Sequence, residues 1–317
     1  MASIFKRIVQ RFNARQQKGP SEGVFAAAFG KHPAWDDHID DIGLQTDFLV
    51  AVKRILYIQG IGGNVDAGSW DKLGSDQLVE KFGHLFVWCI NGVIVVGRLW
   101  PSRDGKGRTS YPMVVCVQCP QLPLSWVFEN ILPRLKRIEE ACNSTNSTDD
   151  VRKIIEDAQN QFRQLTQQWE PGPNLSADCS GGVLTRLAQL PEMGPDRQGL
   201  HRILYHIDRE VLQAPAGTGK GQELRPTSVR VPSSCPAVNE NALLWISFLR
   251  ARFGPNTPIL VLMPTENPWM DIVIGEPTDL HLFCLRASLG AVPLTSSIPY
   301  HMGAEFVARV NQLIDTS

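Results

Sequence analysis

The chain has 317 residues, a formal net charge of −1 and a hydrophobic fraction of 43%. This composition is ordinary for a globular protein and supports a sizeable core, which excludes a wholly disordered chain. The near-neutral charge excludes a general electrostatic attraction to nucleic acid.

The cysteines and the apolar runs of the sequence indicate in which cellular compartment the protein is found. The seven cysteines are an odd number, and most lie within apolar runs, which is typical of reduced and buried thiols. No apolar run reaches the roughly 18 residues that a transmembrane helix needs. We therefore expect a cytoplasmic protein.

The first 20 residues are predicted to form a basic amphipathic helix. Five basic residues and no acidic residue occur in 1–18. We favour a solvated leader helix that packs loosely on the body. The alternative is peripheral contact of residues 1–18 with an anionic membrane surface, or with an acidic partner. Apolar residues recur at helical spacing at Ile4, Phe5, Ile8, Val9 and Phe12.

The next part of the chain predicts strands joined by short connections. A strand at 24–29 precedes a helix at 47–59. Two apolar runs then flank Asn91-Gly92, the strongest short hairpin signal, because both central residues of a type I′ turn need positive φ. Another β-branched run follows at 113–117. Strands that follow one another so closely cannot be parallel neighbours, so we expect an antiparallel sheet.

Helices are predicted after these strands, at 126–142 and 149–169, with Thr148 or Asp149 as the cap of the second. The fold class is therefore α/β of the α+β type, with a largely antiparallel sheet flanked by helices.

We divide the body into a domain at 21–172 and a smaller α/β portion at 173–317 that packs on it. In that portion we predict a helix at 184–190, a helix or strand at 200–211, a mobile loop at 214–234, a helix in preference to a strand at 242–253, a strand at 258–263, short strands at 269–274 and 280–285, and a final helix at 302–314.

Two motifs that could bind a phosphate group or a zinc ion are interpreted as structural. Residues 216–221 resemble a phosphate-binding loop, but Ala214 and Gly221 replace the required glycine and hydroxyl residue. Cys116 and Cys119 have the spacing of a zinc pair, but no second pair completes the ligand set. On a strand these two thiols would point to opposite faces.

The densest polar cluster lies at 32–41. Turn aspartates often hydrogen-bond their own backbone, and that is the interpretation we favour. The alternative is a metal-dependent enzyme that uses His32, Asp37 and His38, since histidine and carboxylate are metal ligands and general acid–base groups.

Two segments resemble a known family. The first is Phe29-Gly30-Lys31-His32-Pro33-Ala34-Trp35-Asp36-Asp37, in which Gly30, Lys31, Pro33 and Asp37 match the family pattern. The second runs from Gly97 through Pro101-Ser102-Arg103-Asp104 and Gly107-Arg108 to Tyr111-Pro112. Together they are similar to the TagF/ImpM proteins of type VI secretion systems, as a divergent member.

The resemblance implies a non-enzymatic accessory or regulatory protein that acts by binding other secretion components, including a forkhead-associated protein. It implies no catalytic residue and no cofactor. A structural component of the secretion apparatus is a further alternative. The predicted partner-binding residues are Lys31, His32, Trp35, Asp37, Arg103, Asp104 and Arg108.

Overall fold

A computed structural model describes residues 23–120, 122–169, 182–194, 196–212, 225–233 and 238–316. Its centre is one seven-stranded sheet in the order β1-β4-β3-β2-β6-β7-β5, and every pairing is antiparallel. This confirms the predicted α/β fold with an antiparallel sheet. The strands are β1 (Phe25–Gly30), β2 (His84–Ile90), β3 (Val93–Trp100), β4 (Met113–Pro120), β5 (Thr227–Pro232), β6 (Ile259–Pro264) and β7 (Trp269–Ile274).

The Asn91-Gly92 turn closes the β2–β3 hairpin as predicted. Asn91 has φ 49° and Gly92 has φ 78°, the positive pair that a type I′ turn requires. β2 also pairs with β6, from the C-terminal half of the chain. One sheet therefore contains strands from both predicted portions, 21–172 and 173–317.

The two faces of the sheet are covered differently. One face packs on a long helix made of α1 (Asp47–Val52), a π-helical segment (Lys53–Gly62) and α2 (Gly63–Asp66). The other face carries the other described α-helices. These are α3 (Leu124–Asn130), α4 (Leu132–Asn143), α5 (Thr148–Gln167), α6 (Val183–Ala188), α7 (Gln198–Leu212), α8 (Val238–Phe253) and α9 (Ala304–Thr316).

Three sequence predictions need correction. Residues 227–232 form β5 although they lie in the predicted loop 214–234, because Val229 and Val231 point into the core. Leu280–Arg286 is a 3-10 helix and not a strand. The cap of α5 is Ser147, whose hydroxyl accepts from the Asp150 N–H at 3.3 Å, and not Thr148 or Asp149. The other short 3-10 helices are Pro191–Met193 and Thr295–Ser297.

Several predictions lie outside the described residues, namely the helix at 1–20, the motif at 216–221 and the part of the predicted loop 214–234 that spans 214–224. Cys116 and Cys119 are both buried and belong to the cores on opposite faces of the sheet, as predicted. Among the described helices, none is long and apolar enough to cross a membrane.

Side chains and loops cover the edge of the sheet at β1. The Ala26 N–H donates to Gln159 Oε1 at 2.5 Å, and Gln159 Nε2 donates to the Val24 carbonyl at 2.7 Å. Ala28 exchanges two backbone hydrogen bonds with Ile42, at 2.9 and 3.0 Å. Because these backbone groups are satisfied within the chain, β1 does not offer them to an added strand.

Candidate functional site

The two motif segments, far apart in sequence, meet at one end of the sheet. β1 pairs with β4 so that Gly30 lies opposite Met113, and the loop after β1 therefore emerges beside the loop before β4. We call residues 31–41 and 101–112 the loop pair. Gly30 has φ 116°, and a Cβ there would lie 2.3 Å from the Pro112 carbonyl oxygen, so only glycine fits this close approach.

A buried ion pair joins the two loops. Lys31 Nζ lies 2.5 Å from Asp104 Oδ2, and these side chains are 4% and 0% exposed. The other oxygen, Asp104 Oδ1, accepts the backbone N–H groups of Lys106 at 3.0 Å and Arg108 at 2.9 Å. The second loop is thus folded around the Asp104 carboxylate, and a turn with φ 81° at Gly107 permits this.

The donors around Asp104 determine its charge. Burial acts to raise the pKa of this carboxyl, but hydrogen bonds from Lys31 and Arg108 outweigh it and hold the pKa well below its usual range. Asp104 is therefore ionised at neutral pH. The pairing of Lys31 with Asp104 offsets the cost of burying either charge alone.

Arg108 carries the network to the surface. Its Nε donates to Asp104 Oδ2 at 2.7 Å, and its Nη2 donates to the Asp36 carbonyl at 2.9 Å. The same Nη2 lies 3.1 Å from Asp37 Oδ1. Arg108 is 51% exposed and Asp37 is 64% exposed, so both remain available to a partner.

Asp37 is the outermost acid of the network. Desolvation acts to raise its pKa, whereas Arg108, His38 and Lys31 act to lower it, and the net direction is downward. Lys31 Nζ lies 3.6 Å from Asp37 Oδ1. The charged groups therefore alternate in sign from the buried Lys31 out to the solvent.

His32 anchors the first loop to the helical layer. Its Nε2 lies 2.9 Å from the Cys142 carbonyl oxygen at the end of α4, and its Nδ1 accepts the Ala34 N–H at 3.1 Å. Burial lowers its pKa, although the Cys142 carbonyl opposes this. The ring also packs edge-on against Trp35, with centroids 5.7 Å apart.

The positions of the predicted site residues divide them into two groups. We expected exposed contact residues, but Lys31, His32 and Asp104 are buried, because their polar groups are used inside the chain. This corrects their expected exposure. Trp35 is half-buried and in contact with His32. The exposed members are Asp37, Arg103 and Arg108.

The geometry bears on the metal-dependent alternative. Both ring nitrogens of His32 already have partners, so this side chain cannot ligate a metal without breaking one of those bonds. His38 Nδ1 lies 3.1 Å from Asp37 Oδ1, which leaves a single histidine–carboxylate pair at the surface. In the described ranges, no group of three or more His, Cys, Asp and Glu residues is placed to hold a metal ion.

Sequence reasoning missed a pocket beside the loop pair. It has a volume of about 230 Å³, and its walls include His38, Asp41, Lys53, Tyr57 and Tyr111. We call it the tyrosine pocket. The only signal in the sequence was indirect, because Tyr111 stands in the second motif while Tyr57 reads as one more apolar position of a helix.

Sequence reasoning also missed the buried Arg230, at the other edge of the sheet. It donates from Nε to Asp271 Oδ1 at 2.7 Å and from Nη2 to Asp271 Oδ2 at 2.9 Å. Its Nη1 donates to the carbonyl oxygens of Ala287, Ser288 and Val292, at 2.9, 3.0 and 2.9 Å. This arginine fixes the segment after the 3-10 helix Leu280–Arg286 onto the sheet.

Comparison with known proteins gives no relative from which to transfer a function. A scan against protein-family models finds no match to the chain, and a search of curated proteins finds no significant match. The fold alone does not define a function, since one fold hosts many unrelated activities. The loop pair and the tyrosine pocket are therefore the features from which a function is inferred.

Proposed function

We propose that the protein is a non-enzymatic accessory or regulatory protein of a type VI secretion system that acts in the cytoplasm by binding protein partners through the loop pair. The observation that carries this proposal is the meeting of the two motif segments in one ion-pair network. The segments are separated by about 60 residues, and each alone is a weak resemblance. Their union at one surface supports a shared role.

The chemistry of the loop pair suits recognition of a protein. The polar groups of its buried members have their partners within the chain, so they hold the exposed members in place. Arg108 and Asp37 present opposite charges at the surface, and arginine offers several donors in a fixed plane. Exposed groups that are already held in one geometry lose less conformational entropy on binding, which is the benefit of a preorganised surface.

The way the sheet edge is closed supports the same proposal. Gln159 and Ile42 satisfy the outer backbone groups of β1, so recognition by strand addition at this edge is disfavoured. Loops on a rigid scaffold are the common alternative for binding. A forkhead-associated protein of the secretion cluster is the partner that the resemblance suggests.

The test is an affinity pull-down from the native cells with the wild-type chain, Arg108→Glu and a matched control. Lys136→Glu is the control, since Lys136 is 68% exposed on α4 and its ion pair with Glu140 is long, at 3.9 Å. We expect type VI components with wild type and control, and roughly tenfold lower recovery with Arg108→Glu, as for a central interface residue. Circular dichroism of all three proteins must show the same folded state.

Different results correct different parts of the proposal. Equal recovery with Arg108→Glu would place the interface elsewhere and leave the role intact. Recovery of no secretion component with any protein would overturn the role. Stoichiometric recovery within a large assembly would favour a structural component of the apparatus.

A further inference from the structure

The tyrosine pocket is built from both loops and from the helix that crosses them. Loop 31–41 contributes His38 and Asp41, loop 101–112 contributes Tyr111, and the π-helical segment Lys53–Gly62 contributes Lys53 and Tyr57. π-helical turns are uncommon and occur often at functional sites. The pocket therefore adjoins the proposed partner-binding surface.

Three aromatic rings contact one another in its wall. The His38 ring lies edge-on to Tyr57 at 5.7 Å and to Tyr111 at 5.1 Å between centroids. Tyr57 and Tyr111 are 5.5 Å apart and tilted by 41°. Aromatic faces carry negative potential and attract cations.

The charges of the pocket do not cancel. Lys53 Nζ lies 2.6 and 2.5 Å from the two oxygens of Asp41, so this lysine and this aspartate neutralise each other. Asp66 also lines the pocket and is exposed. Within the described residues its carboxylate has no hydrogen-bond or ion-pair partner. Lys31 Nζ lies 5.9 Å from the centroid of the Tyr111 ring, but this lysine is paired with Asp104, so the charge left over at the pocket is the negative charge of Asp66.

Burial and nearby negative charge both raise the pKa values of the two tyrosines. Burial raises the pKa of the Tyr57 hydroxyl, and Tyr111, Asp37 and Asp41 raise it further. Burial also raises the pKa of Tyr111, with a contribution from Asp66. Both phenols therefore stay protonated at neutral pH and keep neutral rings.

We propose that the tyrosine pocket receives an arginine side chain from the protein partner. A volume of about 230 Å³ is below the range of sites for drug-sized molecules, which begins at about 300 Å³, and is suited to one side chain. A guanidinium group stacks on aromatic faces and binds a carboxylate through two donors, so Tyr111 and Asp66 match it. Ile58 at the rim is 54% exposed and can pack on the arginine methylenes.

This inference rests on the proposed function only in attributing the arginine to a secretion partner. Its chemistry is tested separately, by titrating the full isotope-labelled chain with N-acetyl-arginine amide and following its amide resonances by NMR. N-acetyl-citrulline amide is the control ligand, because it has nearly the same shape without the charge. We expect arginine-dependent shifts at Ile58, Gly62 and Tyr111, and roughly fivefold weaker binding of citrulline, as for one exposed ion pair.

Variants identify the groups responsible. Asp66→Asn and Tyr111→Leu are expected to weaken arginine binding about fivefold each, whereas Tyr111→Phe retains the ring and retains binding. The control variant Lys136→Glu should bind as wild type does. Equal shifts with citrulline, no shifts in the pocket, or full binding by Asp66→Asn would overturn the proposal.

A pull-down with Asp66→Asn separates the two proposals. Lower recovery of secretion components would support the pocket as the site for the partner's arginine. Recovery equal to wild type would overturn that role and leave the proposed function standing. Arginine binding with no secretion component recovered by wild type would support the pocket chemistry and overturn the proposed function.

Discussion

Two buried ion pairs among the described residues lie near opposite edges of one sheet and differ in what surrounds them. Arg230 and Asp271 sit on the neighbouring strands β5 and β7, directly opposite in register. The hydrogen bonds of the Arg230 guanidinium go to Asp271 and to backbone carbonyls of the same chain. Lys31 and Asp104 are equally buried, but their network continues through Arg108 and Asp37 into solvent.

A structural charge is enclosed on all sides, whereas a charge that can act in binding is connected to the surface. Burial raises the pKa of Asp271, with Arg230 opposing it, which is the behaviour of an enclosed carboxyl. Asp104 is also enclosed, yet its donors belong to a loop whose outer side is exposed. We expect substitutions at Arg230 to change stability and substitutions at Arg108 to change binding.

The largest expected effect is that of Arg230→Met. The variant leaves Asp271 buried without its partner, which costs about 3–5 kcal/mol of unfolding free energy. Urea unfolding followed by circular dichroism measures this difference. The exposed pair Arg252–Asp208 provides the control, because Arg252→Met should cost less than about 1 kcal/mol. Similar small losses in both variants would contradict the structural role of Arg230.

A second prediction concerns His84, which is buried at the start of β2. Burial, aided by the charge of Arg230, lowers its pKa from 6.5 to about 3. A lowered histidine pKa means that the unfolded chain takes up the proton first, so stability falls as the pH drops below 6.5 and continues to fall to about pH 3.

The comparison of wild type with His84→Gln isolates this contribution. The pH-dependent loss of stability in wild type should exceed that in the variant by about 2 kcal/mol between pH 7 and pH 5. Urea titrations at the two pH values measure it. Parallel pH profiles for the two proteins would show that His84 takes up its proton at the same pH in the folded and the unfolded chain, which would contradict the prediction.

A third prediction concerns Asp104, for which stability also falls as the pH drops, but over a lower pH range than for His84. The pKa of Asp104 is lowered in the folded state, so its contribution to stability is present at neutral pH and is lost as the pH falls below about 4. Asp104→Asn should therefore lower the melting temperature at pH 7 by less than Arg230→Met, since Lys31 still has Asp37 within 3.6 Å. The difference in melting temperature between Asp104→Asn and wild type should narrow below pH 4. A difference that stays constant with pH would contradict the lowered pKa of Asp104.

The smallest expected effect on stability is that of Arg108→Gln. Arg108 is half exposed, and exposed ion pairs contribute about 0–1 kcal/mol. We expect its unfolding free energy to lie within about 1 kcal/mol of wild type. A loss comparable to that of Arg230→Met would show that Arg108 is part of the fold and not a contact residue.

Local sequence signals predicted much of the sheet. Asn91-Gly92 specifies its own turn, and the β-branched run at 113–117 specifies β4. The pairing of Asp104 with Arg108 was also predictable, because both lie in one short loop. These cases need only contacts between residues close in sequence.

Long-range contacts explain what could not be predicted. Arg230 lies in a segment rich in glycine and proline, and its partner Asp271 is 41 residues away. The burial of Lys31 depends on Asp104, which is 73 residues away. A lysine in a polar turn is ordinarily exposed, so only the fold reveals that it is enclosed.

Partner recovery and unfolding free energy, measured on the same two variants, separate binding from stability. We expect Arg108→Gln to unfold within about 1 kcal/mol of wild type and to recover roughly tenfold less of its secretion partners. We expect Arg230→Met to be less stable and still to recover them at wild-type levels at a temperature where it is folded. Recovery that follows stability in both variants would contradict the claim that the loop pair is a partner-binding surface.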